Sequence, residues 1–152
     1  MSRVPFAAAF LGAAGLIPFL YGVALIFSAP DTLPTFGVFA SDPEGGLRML
    51  QVFGAVILGF MGGCLWGFVS APGRTPNLPG LLATIVPAFI AFIAVRPDPA
   101  MSCLWLAFGY VVLQAIDVGF DKAGIAPDYW LHLRLPLTAI VMACLLVGAL
   151  NG

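Results

Sequence analysis

Charged side chains divide the chain into five long uncharged intervals. These intervals are 4–30, 49–73, 75–95, 99–116 and 135–152, and each holds between 18 and 27 residues. An α-helix rises about 1.5 Å per residue, so roughly 17–25 apolar residues cross a hydrocarbon core of about 30 Å. The pattern therefore predicts five transmembrane helices, at about 4–28, 43–70, 78–95, 100–118 and 135–150.

The apolar intervals do not alternate with polar residues as the strands of a membrane β-barrel do. Val56-Ile57-Leu58 is one such continuous run, and a single segment in lipid satisfies its backbone polar groups only as a helix. Composition agrees, because 61% of the 152 residues are hydrophobic and 9% are charged, against about 25% charged in soluble domains. We therefore predict an all-α integral membrane bundle that forms a single transmembrane domain over residues 1–152.

Local signals refine these predicted helices. The first apolar run, after Arg3, is longer than the 7–15 residues of a signal-peptide core, so we expect a retained helix. Pro18 lies in its middle and cannot hydrogen-bond to the carbonyl four residues back, so a kink is expected. Ser41 and Glu44 have the spacing of a capping box at the start of the second helix. Pro136 is expected near the start of the last helix, where proline is tolerated.

Lysine and arginine are unevenly distributed between the two sides of the predicted bundle. Four lie on the side of the N-terminus and two on the opposite side, namely Arg3, Arg74, Lys122 and Arg134 against Arg48 and Arg96. Positive residues concentrate in cytoplasmic loops. We therefore expect the N-terminus in the cytoplasm (or the matrix) and the C-terminus on the outer side.

The second predicted helix carries a row of small residues, Ala55, Gly59, Gly63 and Gly67, each four positions apart. Residues spaced i and i+4 share a helix face, so the row is a glycine zipper that lets another backbone approach closely. We expect this groove to receive another helix of the same chain. The alternatives are a partner subunit, or a flat pigment or lipid.

A second pattern is polar and surrounds the end of the fourth predicted helix. Asp117 ends that helix and Arg134 precedes the last one, so each opposes its local helix dipole and both lie on one side of the membrane. We expect them to form an interfacial ion pair at headgroup level. The alternative is a proton or anion site, since ionisable groups at membrane depth are often functional. Phe120, Tyr129 and Trp130 nearby are typical of an interfacial aromatic belt.

The remaining polar and sulfur side chains indicate no metal site and no cofactor. His132 is the single histidine, and the three cysteines lie in apolar runs without a CxxC spacing. We expect Gln51 and Gln114 to hydrogen-bond to neighbouring helices. No P-loop, HExxH or dinucleotide motif occurs in the sequence, so we expect no catalytic residues and no enzyme activity.

Three stretches resemble the motifs of a known family: Leu11–Phe19 (LGAAGLIPF), Phe53–Gly67 (FGAVILGFMGGCLWG) and Tyr129–Thr138 (YWLHLRLPLT). The chain resembles the bacterial branch of a domain-of-unknown-function family that includes mitochondrial transmembrane protein 69. Many members carry a tyrosine in place of Phe53 and a histidine in place of Leu65, which weakens any shared metal or haem role. The resemblance implies a small multi-helix protein of the bacterial inner membrane, and it implies no activity.

These observations favour a non-enzymatic accessory subunit or assembly factor of a larger inner-membrane complex, respiratory or photosynthetic. Its partners are then the lipid bilayer and other membrane-protein subunits, and a net charge of −1 gives no reason to expect nucleic acid. The alternative is a small transporter or a lipid- or pigment-binding membrane protein. A polar cavity lined by Gln51, Gln114 and Asp117 favours transport, whereas a filled core and a flat apolar face favour the subunit.

Overall fold

The fold is known from a computed structural model that describes residues 4–34 and 39–152. Over these residues the chain is helical and has no strand. Its helices are α1 (Phe6–Ala14), α2 (Ile17–Phe27), α3 (Pro43–Val69), α4 (Leu78–Ala94), α5 (Pro99–Lys122) and α6 (Trp130–Asn151). Arg3, which entered the charge count above, lies outside the described residues.

The all-α bundle of five apolar helices is confirmed over the described residues if α1 and α2 are taken as one broken helix. Four stretches are long and apolar enough to cross a membrane: Phe6–Phe27, Pro43–Val69, Pro99–Lys122 and Trp130–Asn151. The remaining helix, α4, has 17 residues and is about 26 Å long. The protein is therefore a multi-pass membrane protein that lies in a lipid bilayer.

At the kink expected from Pro18, a two-residue turn of Gly15 and Leu16 interrupts the helix and separates α1 from α2. Proline lacks the N–H that would bond to the carbonyl of Ala14, and α1 ends at that residue. The amides of Gly15 and Leu16 close the first helix by bonding to carbonyls of its last turn, each at 3.0 Å. Pro18 then lies in the first turn of α2, where its missing N–H needs no partner.

The N-cap of α3 is Asp42, so the capping box predicted for Ser41 and Glu44 is wrong. Pro43 takes the first helical position, which its fixed φ angle suits, and this places the cap one residue later than expected. Asp42 Oδ1 accepts a hydrogen bond from the Gly45 amide at 2.7 Å. The Ser41 hydroxyl instead donates to the carbonyl of Leu33, so it anchors the preceding loop.

Both α5 and α6 are longer than predicted, by about four residues at the end of α5 and five at the start of α6. The charge of Asp117 does not end α5. Gly124, with φ of +62°, ends it, since the amides of Gly124 and Ile125 bond back to Asp121 and Phe120 in a Schellman motif. Pro136 consequently lies inside α6 rather than in its first turn.

The central helix is α3, which packs against α2, α4, α5 and α6. Its buried residues include a row at steps of three or four, namely Leu47, Leu50, Gly54, Leu58, Gly62, Leu65 and Val69. Two glycines of α3 permit close backbone contact. A Cβ added at Gly46 would lie 2.5 Å from the Gly22 carbonyl oxygen, and one at Gly62 would lie 2.5 Å from the Thr84 carbonyl oxygen.

The structure contradicts the expectation that another helix of the same chain fills the row Ala55, Gly59, Gly63 and Gly67, here called the glycine face. Within the described part of the chain, a Cβ added at any of its three glycines meets no atom within 4 Å. Four residues turn a helix by about 400°, so a strict i, i+4 row drifts about 40° per step. The buried row corrects this drift with steps of three, whereas the glycine face moves outward.

Candidate functional site

The structure brings Asp117 and Arg134 together inside the bundle. The helices α5 and α6 run antiparallel, and Arg134 Nε donates a hydrogen bond to Asp117 Oδ2 at 3.2 Å. The side chain of Asp117 is fully buried and that of Arg134 is 6% exposed. A buried charge is stabilised only when it is paired and hydrogen-bonded, so each of these residues depends on the other.

The pair lies inside both helices, whereas the sequence pattern predicted Asp117 at the end of one helix and Arg134 before the start of the next. Asp117 lies five residues before the end of α5 at Lys122, and Arg134 lies four after the start of α6 at Trp130. These separations correspond to about 7 Å and 6 Å along the helices. Helix-dipole effects fade within the terminal turn, so burial rather than the dipole makes the pairing necessary.

Trp130 completes the cluster. Its indole Nε1 donates a hydrogen bond to Asp117 Oδ1 at 2.7 Å, so each carboxylate oxygen has a donor. The guanidinium carbon of Arg134 lies 5.9 Å from the centroid of the same indole ring, a cation–π distance. Phe68 packs edge-on against this ring at 4.8 Å. Trp130 is buried and therefore does not belong to an interfacial aromatic belt.

Four buried side-chain polar atoms among the described residues have no hydrogen-bond partner, and all belong to the same region of α5 and α6. They are both amide atoms of Gln114, Nη2 of Arg134 and Oγ1 of Thr138. Gln114 precedes Asp117 by one helical turn, and Thr138 follows Arg134 by one. Unpaired polar groups are costly in an apolar environment, so this region of α5 and α6 is the candidate functional site.

The other predicted polar residues lie elsewhere. Gln51 Nε2 donates to the Arg96 carbonyl at 2.6 Å and to Ser102 Oγ at 2.8 Å, which ties α3 to the turn between α4 and α5. Ser102 and Asp117 are 15 residues apart on α5, or about 22 Å. His132 is exposed. The described residues contain no cluster of three or more His, Cys, Asp or Glu that could hold a metal ion.

A bundle of five apolar helices around a buried ion pair defines this chain as a polytopic helical membrane protein. It belongs to the family described as "Protein of unknown function (DUF3429)", whose sequence profile matches residues 4–150. The chain is 31% identical over 157 residues to transmembrane protein 69 of Xenopus tropicalis. The family expected from the three sequence motifs is thereby confirmed.

The alignment with the Xenopus protein covers 100% of this chain and 57% of that relative. The chain therefore spans little more than half the length of the relative it matches. No solved structure gives a significant match to the chain.

Proposed function

We propose that the protein is a non-enzymatic accessory subunit or assembly factor of a larger inner-membrane complex, respiratory or photosynthetic. We propose further that it binds this complex through the glycine face of α3. The observation that carries the proposal is that no described atom of the chain fills the space at the three glycines of this face. Gly59, Gly63 and Gly67 each have no described atom within 4 Å of an added Cβ.

A helix from another protein suits this face better than lipid alone. Small residues permit close backbone approach, and such packing drives helix association in a bilayer, where lipid tails are as apolar as leucine. Phe60 protrudes beside Gly59 with 60% of its surface exposed. Between α3 and α4 the face opens into a shallow groove of about 870 Å³ that is lined in part by Ala88 and Ala91.

Charge favours a different protein over a second copy of this chain as the partner. Arg96 lines one end of the groove, and its guanidinium lies over the Trp105 ring at 5.1 Å. A second copy related by a twofold axis along the membrane normal would bring two Arg96 side chains to the same end of the interface. Like charges repel there, whereas a partner helix with an acidic residue at that level is attracted.

The transporter alternative has less support. Gln51 and Asp117 belong to separate polar clusters near opposite ends of α5 rather than to one cavity. Fully buried apolar side chains, Leu58, Leu106 and Leu113, lie in the core between the two clusters. The apolar packing between the two clusters, together with an outward-facing groove of small residues, favours the subunit.

A photo-crosslinking amino acid placed at Gly63 tests the proposed interface. We expect the adduct to be a subunit of a respiratory or photosynthetic complex, identified by mass spectrometry, and Gly63→Leu to abolish co-purification with that complex. The same probe at Leu20, an exposed residue of α2, is the matched control and should give no such adduct. Adducts only with lipid, or only with a second copy of the chain, would contradict the proposal.

The proposed orientation places the N-terminus of the chain in the bacterial cytoplasm and the C-terminus in the periplasm. Five crossings require α4 to span the bilayer together with the four longer stretches. Reporter fusions at Met1 and Gly152 are expected to give opposite compartments, with cytoplasmic activity at Met1. Activity of both fusions in the same compartment would mean an even number of crossings and would remove α4 from the membrane-spanning set.

A further inference from the structure

A groove of about 500 Å³ lies between α5 and α6. Its lining is apolar except at Tyr110 and Gln114 of α5 and Thr138 of α6, and the Tyr110 hydroxyl already donates to the Gly54 carbonyl of α3 at 3.1 Å. Thr138 is 5% exposed, and its hydroxyl and both amide atoms of Gln114 are buried without a hydrogen-bond partner. The groove therefore combines an apolar surface with three polar atoms that need partners.

The groove continues along the two helices as an entirely apolar surface. Val111 and Met142 line both this groove and an adjoining one of about 640 Å³, which extends to Trp105 and Met101. From Val118 to Met101 the two grooves follow α5 over 17 residues, or about 26 Å. This length matches that of a long hydrocarbon or isoprenoid tail.

Depth and charge define the head of the molecule that fits. Gln114 and Thr138 each lie eight residues inside their helix ends at Lys122 and Trp130, or about 12 Å along the helices. Every described residue that lines the groove is uncharged, and Arg134 is already paired with Asp117. A charged head at this depth would be unpaired and costly, so the head must be neutral.

The unpartnered polar atoms of Gln114 and Thr138 further restrict the chemistry of the ligand's head group. The Gln114 amide nitrogen donates, its oxygen accepts, and the Thr138 hydroxyl does either. A carbonyl oxygen on the ligand accepts from Gln114 Nε2 or Thr138, and a ligand hydroxyl also donates to Gln114 Oε1. Such oxygens occur in two kinds of neutral membrane lipid, the lipid-soluble quinones with their quinols and the diacylglycerols.

We propose that the α5–α6 groove binds a neutral, long-tailed lipid whose small head carries a carbonyl or hydroxyl oxygen. The head lies between Gln114 and Thr138, and the tail follows α5 towards Trp105. This site is separate from the glycine face, so the proposal of lipid binding does not depend on the proposed partner complex.

Titration of the delipidated protein in detergent tests the site with four probes: a benzoquinone with a ten-carbon tail, its quinol, dioleoylglycerol and dioleoylphosphatidylglycerol. We expect at least one neutral probe to bind about tenfold or more tightly than the anionic phospholipid. Binding of the quinone or quinol, or of dioleoylglycerol, identifies the source of the ligand. Equal affinity for the charged phospholipid would overturn the proposal.

Three variants locate the binding. Gln114→Leu and Thr138→Val are each expected to lower the affinity for the neutral probe by about three- to tenfold, the effect of one lost hydrogen bond. Ala139→Phe fills the groove from an exposed position and should abolish binding. Ala13→Phe, at an exposed position of α1 outside the groove, is the matched control and should bind as the parent does.

The melting temperature in detergent is a second measurement. It separates ligand binding by Thr138 from a purely structural role of that residue. Without lipid, Thr138→Val should melt higher than the parent, because it removes a buried hydroxyl that has no partner. With the same concentration of the neutral probe, the parent should gain more stability than the variant, because the variant binds the probe more weakly. A lower melting temperature for Thr138→Val in both conditions would show that water or a neighbouring side chain already satisfies the hydroxyl, and would overturn the proposal.

Discussion

Replacing Asp117 with asparagine is expected to destabilise the bundle by about 3–5 kcal/mol, the cost of leaving one member of a buried ion pair without its partner. The asparagine retains a hydrogen-bond acceptor for Trp130 but leaves the charge of Arg134 uncompensated in a site that is 5% exposed. Arg134→Gln should have a similar effect, since it leaves the fully buried carboxylate unpaired. The free energy of unfolding in mixed detergent micelles measures both changes.

The double variant Asp117→Asn, Arg134→Gln separates pairing from simple loss of packing. Strong coupling between the two substitutions is expected, so that the double variant is much more stable than the sum of the single effects predicts. Additive effects would mean that the two charges act independently. The exposed pair of Glu44 and Arg48, with N···O at 3.5 Å, is the control, and Glu44→Gln should change stability by about 1 kcal/mol or less.

Replacing Gly62 with leucine is expected to destabilise the protein by at least about 1–3 kcal/mol through overpacking. The first added carbon would lie 2.5 Å from the Thr84 carbonyl oxygen. Backbone atoms cannot move aside as a flexible side chain can, so α3 and α4 must separate. Gly62→Ala already introduces this carbon, and it should lower the unfolding midpoint in the same direction.

The neighbouring residue provides the control for this substitution. A Cβ added at Gly63, one position later, meets no described atom within 4 Å. Gly63→Leu should therefore leave the isolated chain within about 0.5 kcal/mol of the parent. The sequence pattern alone predicts the opposite ranking of these two glycines. If Gly63→Leu destabilised the isolated chain more than Gly62→Leu, the orientation of α3 described above would be wrong.

Segment positions and the pairing of the two charges were predictable from the sequence, because both follow from where charge is tolerated in a membrane. Uncharged intervals of sufficient length gave the five apolar helices. Asp117 and Arg134 lie at the same end of the bundle whatever the details of packing. Predicting that they are close therefore required only the order and direction of the helices. Their depth was not predictable from charge, because a charge that is paired can lie inside a helix.

The actual ends of α5 and α6 follow from sequence signals that are weaker than the charge pattern. Gly124 follows Lys122 as a helix stop, and its positive φ angle explains why glycine is needed there. With the last helix predicted to start near Pro136, Trp130 and Arg134 fell outside the helix that contains Thr138. Once α6 begins at Trp130, these three residues fall four positions apart on one face, and the cluster that they form with α5 becomes visible.

The glycine pattern shows that spacing along a single sequence does not determine which face of a helix is buried. The second predicted helix has small residues both at Gly46, Gly54 and Gly62 and on the glycine face, so spacing alone supports two different contact surfaces. Which surface faces the core is decided by tertiary packing against the other helices. In the structure the first set faces inward together with Leu50, Leu58 and Leu65 of α3, which are all fully buried.

The break between α1 and α2 separates the opening of α1 from the unfolding of the core. No residue of α1 is buried, and Gly12 approaches the side chains of Leu133 and Leu137 on α6. A cavity of about 400 Å³ beneath α1 is lined in part by Trp130 and Arg134. Local opening requires little free energy where little surface is buried. The charged pair is therefore covered on this side by the helix of the bundle that contributes no buried residue of its own.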